Sequence, residues 1–137
     1  MVRLLKYLAL TTGAVCALIG LYHLALGIHS VPGETMAGAT VDSRERFYGA
    51  VFLGYGLSWV WAARQSPLPT AAIHFLAGIL LLGGVGRVIS VIELGWPHWF
   101  QVVLMVIEIV LPAIFFCLAA AAAPGVGRGT RTAEEWA

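Results

Sequence analysis

Three ionisable side chains, His23, Arg87 and Glu108, interrupt stretches that are otherwise almost wholly apolar. In such a setting a glutamate can serve as a general acid or base, and an arginine can hold an anion or a developing oxyanion. A histidine can pass a proton or contact a ligand. Helical register extends the set. Arg87, Ser90 and Glu93 step by three residues and trace a drifting polar stripe, and Gln101 and Glu108, seven apart, share a face. Arg44, Tyr48 and Tyr55 share a face of a second helix, with Arg46 beside them in sequence. His23 lies on the face of Cys16, Gly20 and Gly27, so it is expected to point into a bundle.

Other chemistry finds little support. Cys16 and Cys117 sit in separate apolar stretches with no CxxC and no Cys/His metal spacing, and read as small buried hydrophobes. Gly83-Gly84-Val85-Gly86 lacks the spacing of a phosphate loop. His23, Glu93 and Glu108 have no local metal-ligand spacing, so neither a metal nor a cofactor is expected. The stripe Tyr48, Phe52, Tyr55, Trp59 reads as packing rather than a cofactor box. His29, His74 and His98 fall near the ends of apolar stretches and read as interfacial.

The elements that must position these groups follow from composition. Of 137 residues, 60% are hydrophobic and only 11% charged, too few charges to cover the surface of a soluble domain. A net charge of +1 gives no footprint for nucleic acid. Four apolar stretches have the length of a spanning helix, about 20 residues: residues 4–28, 43–63, 71–94 and 99–123. The fold class is therefore an all-α integral membrane four-helix bundle. Residues 1–124 form a single four-span domain, followed by a mobile cytoplasmic tail over 125–137. The first stretch exceeds the apolar core of a signal peptide and is expected to stay as a span.

The connections agree with four spans. Pro32, Gly33, Glu34, Gly38 and Thr40 mark a polar loop. Asp42, three residues before Glu45, reads as the N-cap of helix two with a capping-box partner. Ser66-Pro67-Leu68-Pro69-Thr70 and Gly95-Trp96-Pro97-His98 are short turns. Arg3, Lys6, Arg64, Arg128 and Arg131 fall on one side, Arg44 and Arg46 on the other, which predicts cytoplasmic termini. Trp59 and Trp61 would mark the inner interface, Trp96 and Trp99 the outer one. Small residues on helix one, Ala50, Gly54 and Ser58 on helix two, and Gly83, Gly84 and Gly86 on helix three are expected to let helices approach closely.

At 1.5 Å per residue, Arg87, Glu108 and His23 lie about 10, 13 and 8 Å below the outer surface. Every intramembrane charge thus falls in the outer half, and Arg87 and Glu108 are predicted to form an ion pair with a separation near 4 Å. Pro112 removes the helical partner of the Glu108 carbonyl and predicts a kink beside the carboxylate.

Asp42-Ser43-Arg44-Glu45-Arg46-Phe47-Tyr48-Gly49, Gly86-Arg87-Val88-Ile89-Ser90, and Glu108 ahead of Leu111-Pro112 together carry a resemblance. Over residues 8–116 the chain resembles a family of short bacterial four-helix membrane proteins known as a domain of unknown function, broadly similar to the DoxX-like proteins. The resemblance implies the four-helix architecture and the importance of Arg46, Gly49, Arg87 and Glu108. It implies no activity or cofactor.

Three roles for the polar cluster follow: an ion-pair network fixing helix register, a pocket for a small amphiphile, or a docking site for another membrane subunit. The leading expectation is a non-enzymatic protein of the bacterial inner membrane, an accessory subunit or lipid binder. Its partners would be membrane lipids, with another membrane subunit or further copies of itself beside them. The rival is a small membrane enzyme acting on a lipid-like or isoprenoid substrate with Glu108 as acid/base, Arg87 as anion stabiliser and His23 alongside. A cavity opening sideways with Glu108 and His23 on its wall favours a binder or enzyme, and a tightly packed interior favours a subunit.

Overall fold

The structure is a computed structural model that describes residues 1–32 and 38–122. The tail expected over 125–137 and the centre of the first loop lie outside the described residues. Within them the chain is all-α: α1 (Val2–Leu26), a 3-10 turn (Gly27–Ser30), α2 (Ala39–Arg64), α3 (Thr70–Leu94) and α4 (Trp99–Ala122). The helices run up and down, so the start of α1, the end of α2, the start of α3 and the end of α4 share one end of the bundle.

Local chemistry sets the boundaries. Gly27 ends α1 at φ 55, a left-handed conformation that glycine adopts without steric cost. Helix α2 starts earlier than residue 43, with Gly38 as its N-cap. Asp42 is therefore no N-cap. It lies in the first turn, where its carboxylate accepts the Ile28 N–H at 3.0 Å and the Arg46 Nε–H at 2.8 Å. Arg64 closes α2 just before Ser66-Pro67, and Gly95, at φ 87, closes α3 before the turn to α4. Pro112 lies inside α4, which is assigned as one helix from Trp99 to Ala122.

Among the described residues, three helices are long and apolar enough to cross a membrane: the first with its 3-10 extension (Val2–Ser30), Thr70–Leu94 and Trp99–Ala122. At 25 residues, α1 measures about 37 Å, more than a hydrocarbon core of about 30 Å. Helix α2 has the length but not the hydropathy. Its first turns hold Asp42, Arg44, Glu45 and Arg46, and its remainder carries glycines, Tyr55, Ser58, Trp59 and Trp61.

Packing is uneven. Helices α1 and α2 form one intimate hairpin, α3 and α4 another, and contacts between the hairpins are sparse. The α1–α2 seam is made of glycines. A Cβ on Gly13 would stand 2.8 Å from the Gly56 carbonyl oxygen, and one on Gly20 would strike the Leu53 backbone. Gly49 and Gly56 press on α1 in return. The close-approach face of α2 is therefore Gly49, Leu53 and Gly56, not Ala50, Gly54 and Ser58. Gly54 faces open space, and the exposed Ser58 hydroxyl bonds its carbonyl at 2.9 Å. On α3 it is Gly84 that meets α4, at Ile109 and Glu108, whereas Gly86 meets nothing.

The two hairpins join at the end that carries the termini. Leu5, Trp59, Ile73, Pro112 and Phe115 are fully buried there, with Ala9, Ala62, Ala63, Ala77 and Ala119 between them. The Trp59 and Phe115 rings lie 4.4 Å apart, centroid to centroid. Trp59 is thus a core residue and not an interfacial one, because its position on α2 faces the other hairpin; Trp61, Trp96 and Trp99 are exposed. His74 stacks on Phe116 rather than standing free. Cys16 is buried as expected, but Cys117 is exposed, since it lies on the outer face of α4.

Candidate functional site

The opposite half of the bundle is hollow. A cavity of about 750 Å³ lies between the hairpins and reaches from mid-bundle toward the end away from the termini. Its floor is Tyr55, Leu76 and Leu80. The Tyr55 hydroxyl donates to the Leu76 carbonyl at 2.7 Å and ties α2 to α3 at that depth. Val51, Phe75 and Ile79 line it and are exposed as well, so the cavity opens sideways between α2 and α3.

Arg87 organises one wall. Its Nε–H donates to Glu108 Oε2 at 2.7 Å and its Nη2–H to Glu108 Oε1 at 3.1 Å. This is a bidentate fork, the strong form of an arginine–carboxylate pair. A third donor, on Nη1, reaches Gln101 Oε1. The expected ion pair forms, and the seven-residue spacing of Gln101 and Glu108 does bring both to one guanidinium. The Glu108 side chain is 12% exposed and that of Arg87 34%. Gly83 lies beside the carboxylate: a Cβ there would stand 3.5 Å from Glu108 Oε2, in ordinary contact.

His23 and Glu45 form the other wall. His23 Nδ1 lies 2.6 Å from the Ser30 hydroxyl and 3.8 Å from Glu45 Oε2. Ser30 has one proton, and its oxygen also lies 2.6 Å from the Gly27 carbonyl, which can only accept. The serine therefore donates to Gly27 and accepts from His23 Nδ1–H. In a neutral imidazole this leaves Nε2 as an acceptor. The 3-10 turn Gly27–Ser30 supplies the geometry by folding Ser30 back under α1.

Of the residues singled out from sequence, His23, Tyr48, Tyr55, Arg87, Gln101 and Glu108 line the cavity. Arg44 and Ser90 stand at a second hollow that adjoins it. Arg46 and Glu93 do not join them. Residues 44 and 46 are about 200° apart around a helix, so Arg46 faces α1. There its Nη1 donates to the Leu24 and Ala25 carbonyls, at 2.9 and 2.8 Å, and caps the end of that helix. The Arg46 guanidinium and the Ile28 N–H hold the Asp42 carboxyl below the usual carboxylate range. Glu93 is exposed, because each three-residue step falls about 60° short of a full turn and two steps carry it off the face.

Ser30 and Glu45 are the site residues that sequence reasoning missed. Glu45 follows Arg44 by one residue and precedes Tyr48 by three, so its register beside Tyr48 was the available signal. Ser30 falls in a short turn beyond α1, where no periodicity speaks for it. Among the described residues, no group of three or more His, Cys, Asp or Glu side chains is placed to hold a metal ion.

In comparison with known families, the model of a domain of unknown function, DUF4345, matches residues 4–119. The chain belongs to that family. No curated protein and no solved structure matches it.

Proposed function

We propose that this DUF4345 member is a membrane-embedded binder of an amphiphilic small molecule, such as a lipid. The observation that carries the reading is the sideways cavity with His23 on one wall and Arg87–Glu108 on the other. Its volume falls within the range of small-molecule sites, and its lining is mainly apolar with a few convergent polar groups, as such sites require. A chain that only fixed helix register would have no use for a hollow at the depth of its charged groups. A subunit that docked through polar side chains would carry them on the outer flanks, whereas these face inward.

On this reading all four helices span the membrane. The excess of Lys and Arg beside the helix ends at the terminal side supports a topology with both termini in the cytoplasm, and the reading takes the membrane to be a bacterial inner membrane. Binding is favoured over catalysis by Glu108, because both of its oxygens are engaged by Arg87.

The test is native mass spectrometry of the full chain purified in mild detergent. Wild type is expected to carry a bound amphiphile. The variant Leu80→Trp/Leu104→Trp places two indoles in the cavity and is expected to lose it while keeping its helical circular dichroism. An empty wild-type protein, or equal adducts on both, overturns the reading.

A further inference from the structure

The mouth of the cavity bears on the head group of its occupant, an inference that rests on the amphiphile reading. A second hollow is lined by Arg44, Tyr48, Gly83, Arg87, Ser90 and Glu108. It shares Tyr48, Gly83, Arg87 and Glu108 with the apolar cavity, so the two are continuous. Its charges do not cancel. Glu108 neutralises Arg87 through the fork. Arg44 is exposed and, among the described residues, has neither a hydrogen-bond nor an ion-pair partner. Glu45 lines only the larger cavity, where it faces His23.

Donor capacity agrees with this charge. A guanidinium has five N–H groups, and Arg87 spends three of them on Glu108 and Gln101. Two remain, beside all five of Arg44 and the hydroxyls of Tyr48 and Ser90. Gly86 adds room, since a Cβ there would meet nothing within 4 Å. We infer that this mouth binds the anionic head group, a phosphate or carboxylate, of an amphiphile whose acyl or alkyl chain fills the apolar cavity. Arg44 is the residue that selects for the charge, and Arg87, held rigid by its fork, orients the head group.

The full chain in non-ionic detergent is titrated with dioctanoylphosphatidylglycerol, dioctanoylglycerol and inorganic phosphate, following tryptophan fluorescence. The anionic lipid is expected to bind about tenfold tighter than the neutral one, the scale of one charge-assisted hydrogen bond. Phosphate alone is expected to bind more weakly than either. Arg44→Gln should erase the preference while leaving dioctanoylglycerol affinity and the unfolding temperature unchanged, and Arg44→Lys should retain part of it. Equal affinity for the two lipids, or a preference that survives Arg44→Gln, overturns the head-group assignment and leaves the amphiphile reading standing. Phosphate binding as tightly as the anionic lipid overturns it in favour of a free-anion site. Failure of both lipids to bind removes the amphiphile reading as well.

Discussion

Arg87 and Glu108 are interdependent in a way that makes their substitution costs non-additive. Each is tolerable in an apolar bundle because the other cancels it, and removing one partner leaves an uncompensated charge that costs about 3–5 kcal/mol at a buried site. Arg87→Met strands the carboxylate and is expected to lower the unfolding temperature markedly. The double variant Arg87→Met/Glu108→Leu should recover most of the loss, as apolar replacements of ion pairs often do. Thermal unfolding in detergent, followed by circular dichroism, measures the cycle, and strictly additive losses would show that the two side chains do not stabilise one another. This pair is legible in the sequence, because two opposite charges at similar depth on consecutive helices leave few other solutions. The His23–Ser30 bond is not, since it depends on a single 3-10 turn.

Among the elements, the α1–α2 hairpin is built on backbone contact. Gly20→Ala and Gly56→Ala each drive a methyl into the opposite backbone, at Leu53 and Ala17 respectively. Backbone cannot swing aside as a side chain can, so each is expected to cost about 1–3 kcal/mol. Gly54→Ala is the control, because its added methyl meets nothing and alanine is the better helix former by about 1 kcal/mol. Unfolding temperatures that rank Gly54→Ala with the other two would refute the seam. Small residues on α1 were readable from the sequence as a packing face. The face on α2 was not: Ala50, Gly54 and Ser58, spaced by four, make as convincing a stripe as Gly49, Leu53 and Gly56, spaced by four and then three. Only the rotation of α2 against α1, set by the whole hairpin, decides between them. Helix ends were readable to within a few residues, the start of α2 least well, because Asp42 has the chemistry of a cap but spends it on Ile28 and Arg46.

At the scale of the molecule, two tight hairpins are fastened at one end by Trp59, Phe115 and their neighbours and stand apart at the other. Regions with few buried contacts open at lower free energy than a packed core. Spin labels at Phe47 and Trp99, both exposed near the open end, should therefore give a broader distance distribution than labels at Tyr7 and Ala120 near the fastened end. The measurement uses a chain whose two cysteines are replaced by alanine. Equal widths would mean that the hairpins move as one body. Composition and span length make the all-α architecture plain, yet they say nothing of this unevenness. It arises from where the large aromatics fall relative to the turns, which becomes visible only when the helices are set side by side.

Because the gap between α2 and α3 faces sideways, the amphiphile proposed above would enter from the surrounding bilayer and not from bulk water. What governs filling is then mole fraction in the lipid phase. A guest lengthened by one methylene enriches itself in that phase by about 0.8 kcal/mol before it meets the protein at all. Ranked by aqueous dose, long-chain guests would look like better ligands even with identical fit, so affinities for this chain are comparable only when expressed per unit of membrane.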